Sequence, residues 1–396
     1  MLDQLFEVLL KAPIFRNETL NPTPAIALLR IVAALLVMAA HLLDRYFGLS
    51  FYAFGTGAFF VLAGALALHG RRLRGKLDSK DRLNQTGWRY LARRLIRLYP
   101  GYALAVGLYL LTLDPAHEAR VAWEHFTLFF VLQDRADVYA LNPAFWCMPV
   151  FVCFYALVAW LPNDFEPKFW QVIALWLTPL ALVGLQVPQW VAQNAPQLSL
   201  SLMIILYVAA FALGAWVMQR QSSTKPFEGR LLWIPRRIFL RIAIILNLGV
   251  IVALGFFYKQ LETQWALPVL LFQYLMIALF ALLLASLLAL PAKAMPQSPQ
   301  TKPWWLYISE LSFGVFLYHN LIPHWLSHPR IESLFAALGL ASLPPAAAPM
   351  LFLLLSIAGA MLLSLMSLHV LERPILRIAE RLLARAPERR VLASSN

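Results

Sequence analysis

The chain has 396 residues, of which 61% are hydrophobic and only 13% charged, and its formal net charge is +13. Several apolar runs are long enough to cross a hydrocarbon core of about 30 Å, which excludes the soluble domain classes. The expected fold is all-α, a polytopic transmembrane helix bundle, with no segment outside the runs long enough for a separate soluble catalytic domain.

In chain order, MLDQLFEVLLKA at 1–12 lacks a basic stretch followed by a small-residue cleavage site, so it reads as an amphipathic helix on the membrane surface and not as a secretory signal. Apolar runs of at least about 17 residues then predict ten spans, at 24–43, 50–69, 95–113, 145–161, 169–187, 199–218, 238–257, 266–290, 305–326 and 349–371. The layout is therefore an interfacial segment at 1–23, a bundle at 24–371 and a basic cytoplasmic tail at 372–396. The apolar run 126–132 is too brief to cross. The outer loop 114–144 is long enough for a lid or acceptor platform, with Asp114, His117, Glu118, Glu124, His125, Asp134 and Asp137 as its polar content.

Charge sets the orientation. With the N-terminus inside, 26 of the 33 Lys and Arg residues fall on the inner side, counting Arg97 at the inner end of the third span, and 5 on the outer, leaving Arg30 and Arg241 deeper within spans. This is the positive-inside pattern for two cytoplasmic termini, and it accounts for the basic balance without nucleic-acid binding. No internal repeat of fixed period is present, which argues against an inverted-repeat transporter. Cys147 and Cys153, six apart on one predicted helix, point in different directions and form no disulfide framework or metal cluster.

Four constellations, and one further carboxylate, could carry chemistry. In the first span, LRIVAALLVMAAHLLD places Arg30 and His41 eleven positions apart. An α-helix turns through about 1100° over that interval, which brings both residues to one face roughly 16 Å apart. An arginine deep in a span faces the bundle interior or a wet cavity, unless it snorkels to the headgroups. Histidine is a natural general base for a hydroxyl proton. At the third span, Arg89, Arg93 and Arg97 fall at i, i+4 and i+8 with Arg94 beside them. This cytoplasmic stripe suits a phosphorylated donor, although positive-inside decoration alone would also produce it.

In the ninth span, the helical rise puts His319 at a depth similar to His41, and Glu310 near the depth of Arg30, close enough for an interhelical ion pair. The plainer readings are an interfacial Glu310 and an outer-leaflet belt containing His319 and His324. In the second span, Gly57 and Gly64 share a face and read as a close helix contact. Glu372, at the inner end of the last span, either accepts from the basic loops or is an interfacial carboxylate. There is no Gly-rich phosphate loop, His-x-x-x-His helix or Gly-x-Ser-x-Gly elbow.

These stretches, in this order, resemble the acyltransferase-3 family of integral membrane O-acyltransferases. Arg30 and His41 match the arginine and histidine, with ten residues between, of the family's first helix. FGTGAFFVLAGAL resembles its Gly-x-Asp-x-Phe-Phe-x-x-Ser-Gly segment, and RRLIRLYPGY its Arg-Arg-x-x-Arg-x-x-Pro segment. NPAFWCMPVFVCFY, with Trp146 and Tyr155, resembles Trp-Ser-x-x-x-Glu-x-x-Phe-Tyr. ISELSFGVFLYHN resembles Ser-Tyr-x-x-Tyr-x-x-His, and ERP the closing Glu-x-Pro. The chain departs from the pattern at Gly57 for aspartate, Ala63 and Cys147 for serine, and Phe151 for glutamate.

The resemblance implies ten spans and a location in a bacterial cytoplasmic membrane. It also implies transfer of an acyl group, most simply acetyl, from cytoplasmic acyl-coenzyme A to a hydroxyl of a glycan or lipid-linked saccharide on the outer side. Acyl-coenzyme A would be a co-substrate, with no tightly bound cofactor and no metal. On this reading His41 is the general base or carries the acyl group, and Arg30 orients the donor. Arg93, Arg94, Arg97 and Arg89 hold its phosphates, while His319, Glu310, Trp146, Tyr155 and Glu372 serve the acceptor side or the structure. The alternative, raised by Gly57 and Phe151 in place of acidic residues, is a flippase or a catalytically degenerate component of a polysaccharide export complex.

Overall fold

The computed structural model describes residues 24–52, 55–77, 83–112, 118–132, 140–162, 165–185, 199–223, 230–231, 234–262, 266–289, 304–339, 344, 347–379 and 381. Among them run thirteen α-helices: α1 (Pro24–Phe47), α2 (Gly55–Leu77), α3 (Leu83–Leu110), α4 (Glu118–Thr127), α5 (Cys147–Trp160), α6 (Phe169–Gly184), α7 (Ser199–Ser223), α8 (Arg236–Glu262), α9 (Ala266–Ala289), α10 (Trp304–Tyr318), α11 (Leu321–Leu326), α12 (Pro329–Ala337) and α13 (Ala347–Met366). A two-residue antiparallel ribbon, β1 (Arg230–Leu231) with β2 (Ile234–Pro235), precedes α8. The expected surface helix at 1–12 and most of the basic tail lie outside the described residues.

A helix coincides with each of the ten apolar runs. Among the described residues, four stretches are long and apolar enough to cross a membrane: Pro24–Phe47, Ile238–Phe257, Leu270–Leu288 and Ala347–Ala379. Gly55–Ala67, Cys147–Trp160, Trp170–Leu182 and Tyr207–Gln219 are shorter apolar helices. α2 itself runs on past Ala67 through the basic sequence around Arg71 and Arg72. Pro149 does not interrupt α5, because it falls in the first turn, where its missing N–H would be unpaired anyway.

Between apolar helices in lipid, close approach depends on small residues. At the α2–α7 contact a Cβ on Gly64 would overlap the Phe211 carbonyl, and one on Gly214 the Val61 carbonyl. Gly57 is buried in the same helix. Around this contact the Phe60, Tyr207, Phe211, Phe151 and Phe154 rings pack into one aromatic core. α1 packs on α2 and α10, and α10 packs in turn on α13. There Gly314 lets the Ser364 hydroxyl reach the Leu311 carbonyl at 2.7 Å.

Three elements depart from the expected layout. The run at 305–326 is two helices, broken at His319 and Asn320, because Pro323 has no N–H to give the His319 carbonyl and its ring crowds that oxygen. The last helix continues past 371 to Ala379 through a π-helical turn at Ser367–Glu372. Pro374, which cannot bond back to the Val370 carbonyl, accounts for the widened turn. The segment 114–144, expected as an outer loop, contains α4, and Glu124 and His125 are buried in it. Tyr99 and Tyr102 of α3 donate to the Phe126 and His125 carbonyls, so this part of the loop is docked on the bundle and presents neither side chain as a platform. Asp114, His117, Asp134 and Asp137 lie outside the described residues.

Candidate active site

α1 is one uninterrupted helix, so Arg30 and His41 share its face with a rise of roughly 16 Å between them. Each meets a different set of partners.

Arg30 lines a cavity of about 170 Å³ enclosed by α1, α2, α3, α5, α10 and the π-helical end of α13. This is an order of magnitude more than the roughly 10–15 Å³ a single water needs. Its charged lining is Arg30, Arg94, Arg97, Arg373, Glu310 and Glu372; its apolar walls include Phe59, Leu62, Phe151 and Phe313. Four guanidinium groups against two carboxylates give the cavity a formal charge of +2. Of the four arginines predicted at the start of the third span, Arg94 and Arg97 face this space and Arg89 and Arg93 do not. The lining face of α3 is thus the i, i+3 pair and not the i, i+4, i+8 stripe.

Arg94 is fixed by flanking rings, with its guanidinium carbon 5.3 Å from the centroids of both Tyr90 and Tyr155. Its Nη2 donates to the Leu66 carbonyl at 3.4 Å. Cation–π attraction of this kind holds an arginine in place without consuming its whole donor fork. Tyr155 also lines the cavity. Trp146 does not: its ring packs on Tyr207 at 4.7 Å and Phe60 at 5.9 Å, in the aromatic core behind the cavity wall.

Glu310, expected near Arg30, shares its cavity and accepts from Arg373 Nη2 at 3.0 Å. Glu372 faces inward, with its Oε1 accepting from Ser367 Oγ at 2.6 Å across the π turn. That carboxylate packs directly on Gly101 of α3, where a Cβ would fall 2.7 Å from Oε1. Tyr318 donates to the Gly101 carbonyl from the α10 side. Neither glutamate is a simple interfacial carboxylate.

His41 meets His319, with ring centroids 5.1 Å apart and planes inclined by 35°. Met38, Leu42 and Val315 form an apolar cluster beside them. His319 is fully buried. Its Nδ1 lies 2.8 Å from the Phe316 carbonyl, and since a carbonyl only accepts, that nitrogen carries the hydrogen and Nε2 presents a lone pair. Nε2 is buried with no hydrogen-bond partner among the described residues. An orphaned buried polar atom costs about 1–3 kcal/mol and calls for an explanation beyond packing.

The Asn142 side chain donates to the Leu317 carbonyl at 3.0 Å and accepts from Asn320 at 3.2 Å, steadying the break that carries His319. Phe316 stands between the two stations, 5.4 Å from the cavity-lining Phe59 and 6.4 Å from His319.

Sequence reasoning missed Arg373, Ser309 and Ser312 in the cavity lining and Asn142 behind His319. The only signal for Arg373 was its position inside the ERP motif. Among the described residues no group of three or more His, Cys, Asp or Glu is placed to hold a metal. Cys147 is buried and Cys153 exposed, both as free thiols.

Comparison with known protein families matches residues 23–368 to an acyltransferase domain. No curated protein and no solved structure matches the chain. The family match begins ahead of α1 and ends inside the π turn, so it takes in Arg30, His41, the α3 arginines and His319. With most of its length covered, the chain belongs to the acyltransferase-3 family and is a membrane acyltransferase.

Proposed function

We propose that the protein transfers an acyl group, acetyl in the simplest case, from cytoplasmic acyl-coenzyme A to a hydroxyl of a glycan or lipid-linked saccharide on the outer side of a bacterial cytoplasmic membrane. Ten spans with both termini inside fit the charge distribution along the chain. The observation that carries the reading is the pairing of two stations on α1: a cationic cavity around Arg30 and a buried histidine pair around His41.

The donor's phosphates lie against Arg94 and Arg97, whose planar forks match phosphate oxygens. The pantetheine arm spans the roughly 16 Å between Arg30 and His41. His41 takes the proton from the acceptor hydroxyl, whose oxygen attacks the thioester carbonyl. The carbon–sulfur bond then breaks, and coenzyme A leaves as a thiolate that recovers the proton as a thiol. His319, held by its own backbone, positions His41. Phe151 and Ala63 line the cavity where the family pattern has glutamate and serine, so the acceptor is expected to differ from that of members carrying those polar groups.

The test is to incubate the purified full-length protein with radiolabelled acetyl-coenzyme A and cell-envelope glycans, then follow label into saccharide esters. Label is expected in the glycan fraction with the wild type and is absent for His41→Ala. Movement of lipid-linked saccharide across a vesicle membrane without labelling would replace this reading with the flippase alternative.

A further inference from the structure

Arg373 stands outside the predicted arginine stripe, on a different helix from Arg94 and Arg97, yet faces the same cavity. The π turn ending at Glu372 places it there. Its fork is held on two sides. Nη2 donates to Glu310 at 3.0 Å, and Nη1 lies 3.2 Å from His369 Nδ1. Nη1 is also 3.3 Å from Nε2, so both ring nitrogens lie within its reach, and Nε2 is in turn 2.7 Å from Tyr307 Oη. The guanidinium carbon also lies 5.9 Å from the Tyr307 ring centroid.

The arginine is therefore held among Tyr307, His369 and the Glu310 carboxylate, which accepts from its Nη2. The side chains of Arg373 and Glu310 are 11% and 19% exposed, so the pair sits at the cavity wall and not in the sealed core. The second cavity carboxylate, Glu372, accepts from Ser367 and also lies within electrostatic reach of Arg97 and Arg373.

We infer that Arg373 is a further ligand for a phosphate group in this cavity and that Glu310 is a carboxylate stand-in, covering Arg373 until the phosphate arrives. A phosphate monoester carries about −1.5 to −2 charge and three acceptor oxygens, against one charge on a carboxylate, so it outcompetes Glu310 for the fork. The inference rests on the donor reading above, which makes the phosphate the monoester of coenzyme A; the phosphate monoester of phosphatidic acid offers the same chemistry from another source.

The experiment is titration calorimetry of the full-length protein in detergent with coenzyme A, for wild type, Glu310→Gln, Arg373→Gln and the double variant. Thermal unfolding is recorded on each. Removing the competing charge is expected to tighten coenzyme A binding severalfold in Glu310→Gln. Losing the fork is expected to weaken it about tenfold in Arg373→Gln. In the double variant the gain from Glu310→Gln should vanish, since Arg373 is then no longer there to be uncovered.

Wild-type binding with no tightening in Glu310→Gln overturns this proposal and leaves the donor reading intact. No wild-type binding overturns the donor reading and this proposal with it. A parallel titration with phosphatidic acid in mixed micelles separates the sources: tightening there, with coenzyme A unmoved, would make the phosphate a lipid's and overturn the assignment to the donor.

Discussion

His41 of α1 and His319 at the end of α10 meet with ring centroids 5.1 Å apart, although their helices enter the bundle from opposite halves of the sequence. The two imidazoles are not equivalent. His319 is locked by its Nδ1 hydrogen on the Phe316 carbonyl, whereas the proposed chemistry falls to His41. General-base catalysis contributes about 10²–10⁴-fold, so His41→Ala is expected to lower kcat by that factor while leaving the KM for acyl-coenzyme A nearly unchanged. His319→Ala should cost less, and the double variant should be no worse than His41→Ala alone, because a positioning group has nothing left to position. Steady-state kinetics of the four proteins, each checked for a monodisperse fold, measure both claims. Full activity in His41→Ala would remove the general-base assignment.

The two kinds of arginine on α3 separate in a second prediction. Arg94 and Arg97 line the cavity, and Arg89 and Arg93 do not. Arg94→Ala and Arg97→Ala are each expected to raise the KM for acyl-coenzyme A by roughly tenfold or more, the scale of a lost charge-assisted contact, with kcat less affected. Arg89→Ala and Arg93→Ala should move it by less than about threefold, as expected for charges that only set topology. Equal effects at all four positions would return the whole cluster to topology. Arg94→Lys is also expected to fail, since the flanking Tyr90 and Tyr155 rings grip a planar guanidinium and not a compact ammonium.

How much of this was legible follows from which distances a single helix fixes. Arg30 and His41 lie on one uninterrupted span, so helical rise alone gave their separation and shared face, and rise from the membrane edge put His319 near the depth of His41. The arginine face was not legible, because choosing between the Arg89–Arg93–Arg97 stripe and the Arg94–Arg97 pair depends on how α3 is rotated against α2 and α5. That rotation is tertiary information. Arg373 was hidden for a related reason: a hydropathy run ends at 371, while the helix continues to Ala379 through a π turn. Pro323 and Pro374 were the visible clues to the two backbone departures. Glu124 and His125 read as loop polarity, yet α4 buries both, with Glu124 Oε1 2.9 Å from Arg120 Nη1 and His125 Nδ1 2.9 Å from the Val121 carbonyl.

Phe316 supports a prediction about coupling between the stations. It is 2% exposed, packed between the cavity-lining Phe59 and the His319 ring, so in this arrangement it separates the donor cavity from the histidine pair. Deleting a buried phenylalanine outright costs about 3–5 kcal/mol, so Phe316→Leu is the more informative change. It should leave the protein folded, raise acyl-coenzyme A hydrolysis in the absence of acceptor severalfold, and lower the ratio of transfer to hydrolysis. A thiol-release assay with and without acceptor measures that ratio. An unaltered ratio would mean the arm reaches His41 by a route that does not pass this ring.

The α2–α7 contact makes a prediction about stability in which glycines of one chain serve as each other's controls. A Cβ at Gly64 would overlap the Phe211 carbonyl, and one at Gly214 the Val61 carbonyl. Both obstacles are backbone, so no rotamer change relieves them and the helices must move apart, with a cost at or above the ~1–3 kcal/mol typical of overpacking. Because Phe211 and Val61 belong to the core that backs Phe151 and Tyr155, separating α2 from α7 also disturbs one wall of the cavity. Gly249 of α8 has nothing within 4 Å of its would-be Cβ, and alanine there gains about 0.8–1.0 kcal/mol of helix propensity in model helices. Gly64→Ala and Gly214→Ala are therefore expected to lower the unfolding temperature in detergent and raise the KM for acyl-coenzyme A, while Gly249→Ala leaves the KM alone and does not destabilise. Thermal melts monitored by size-exclusion fluorescence, alongside kinetics, distinguish the sites. A Gly64→Ala protein as stable as Gly249→Ala would show that these two helices do not approach as closely as the structure places them.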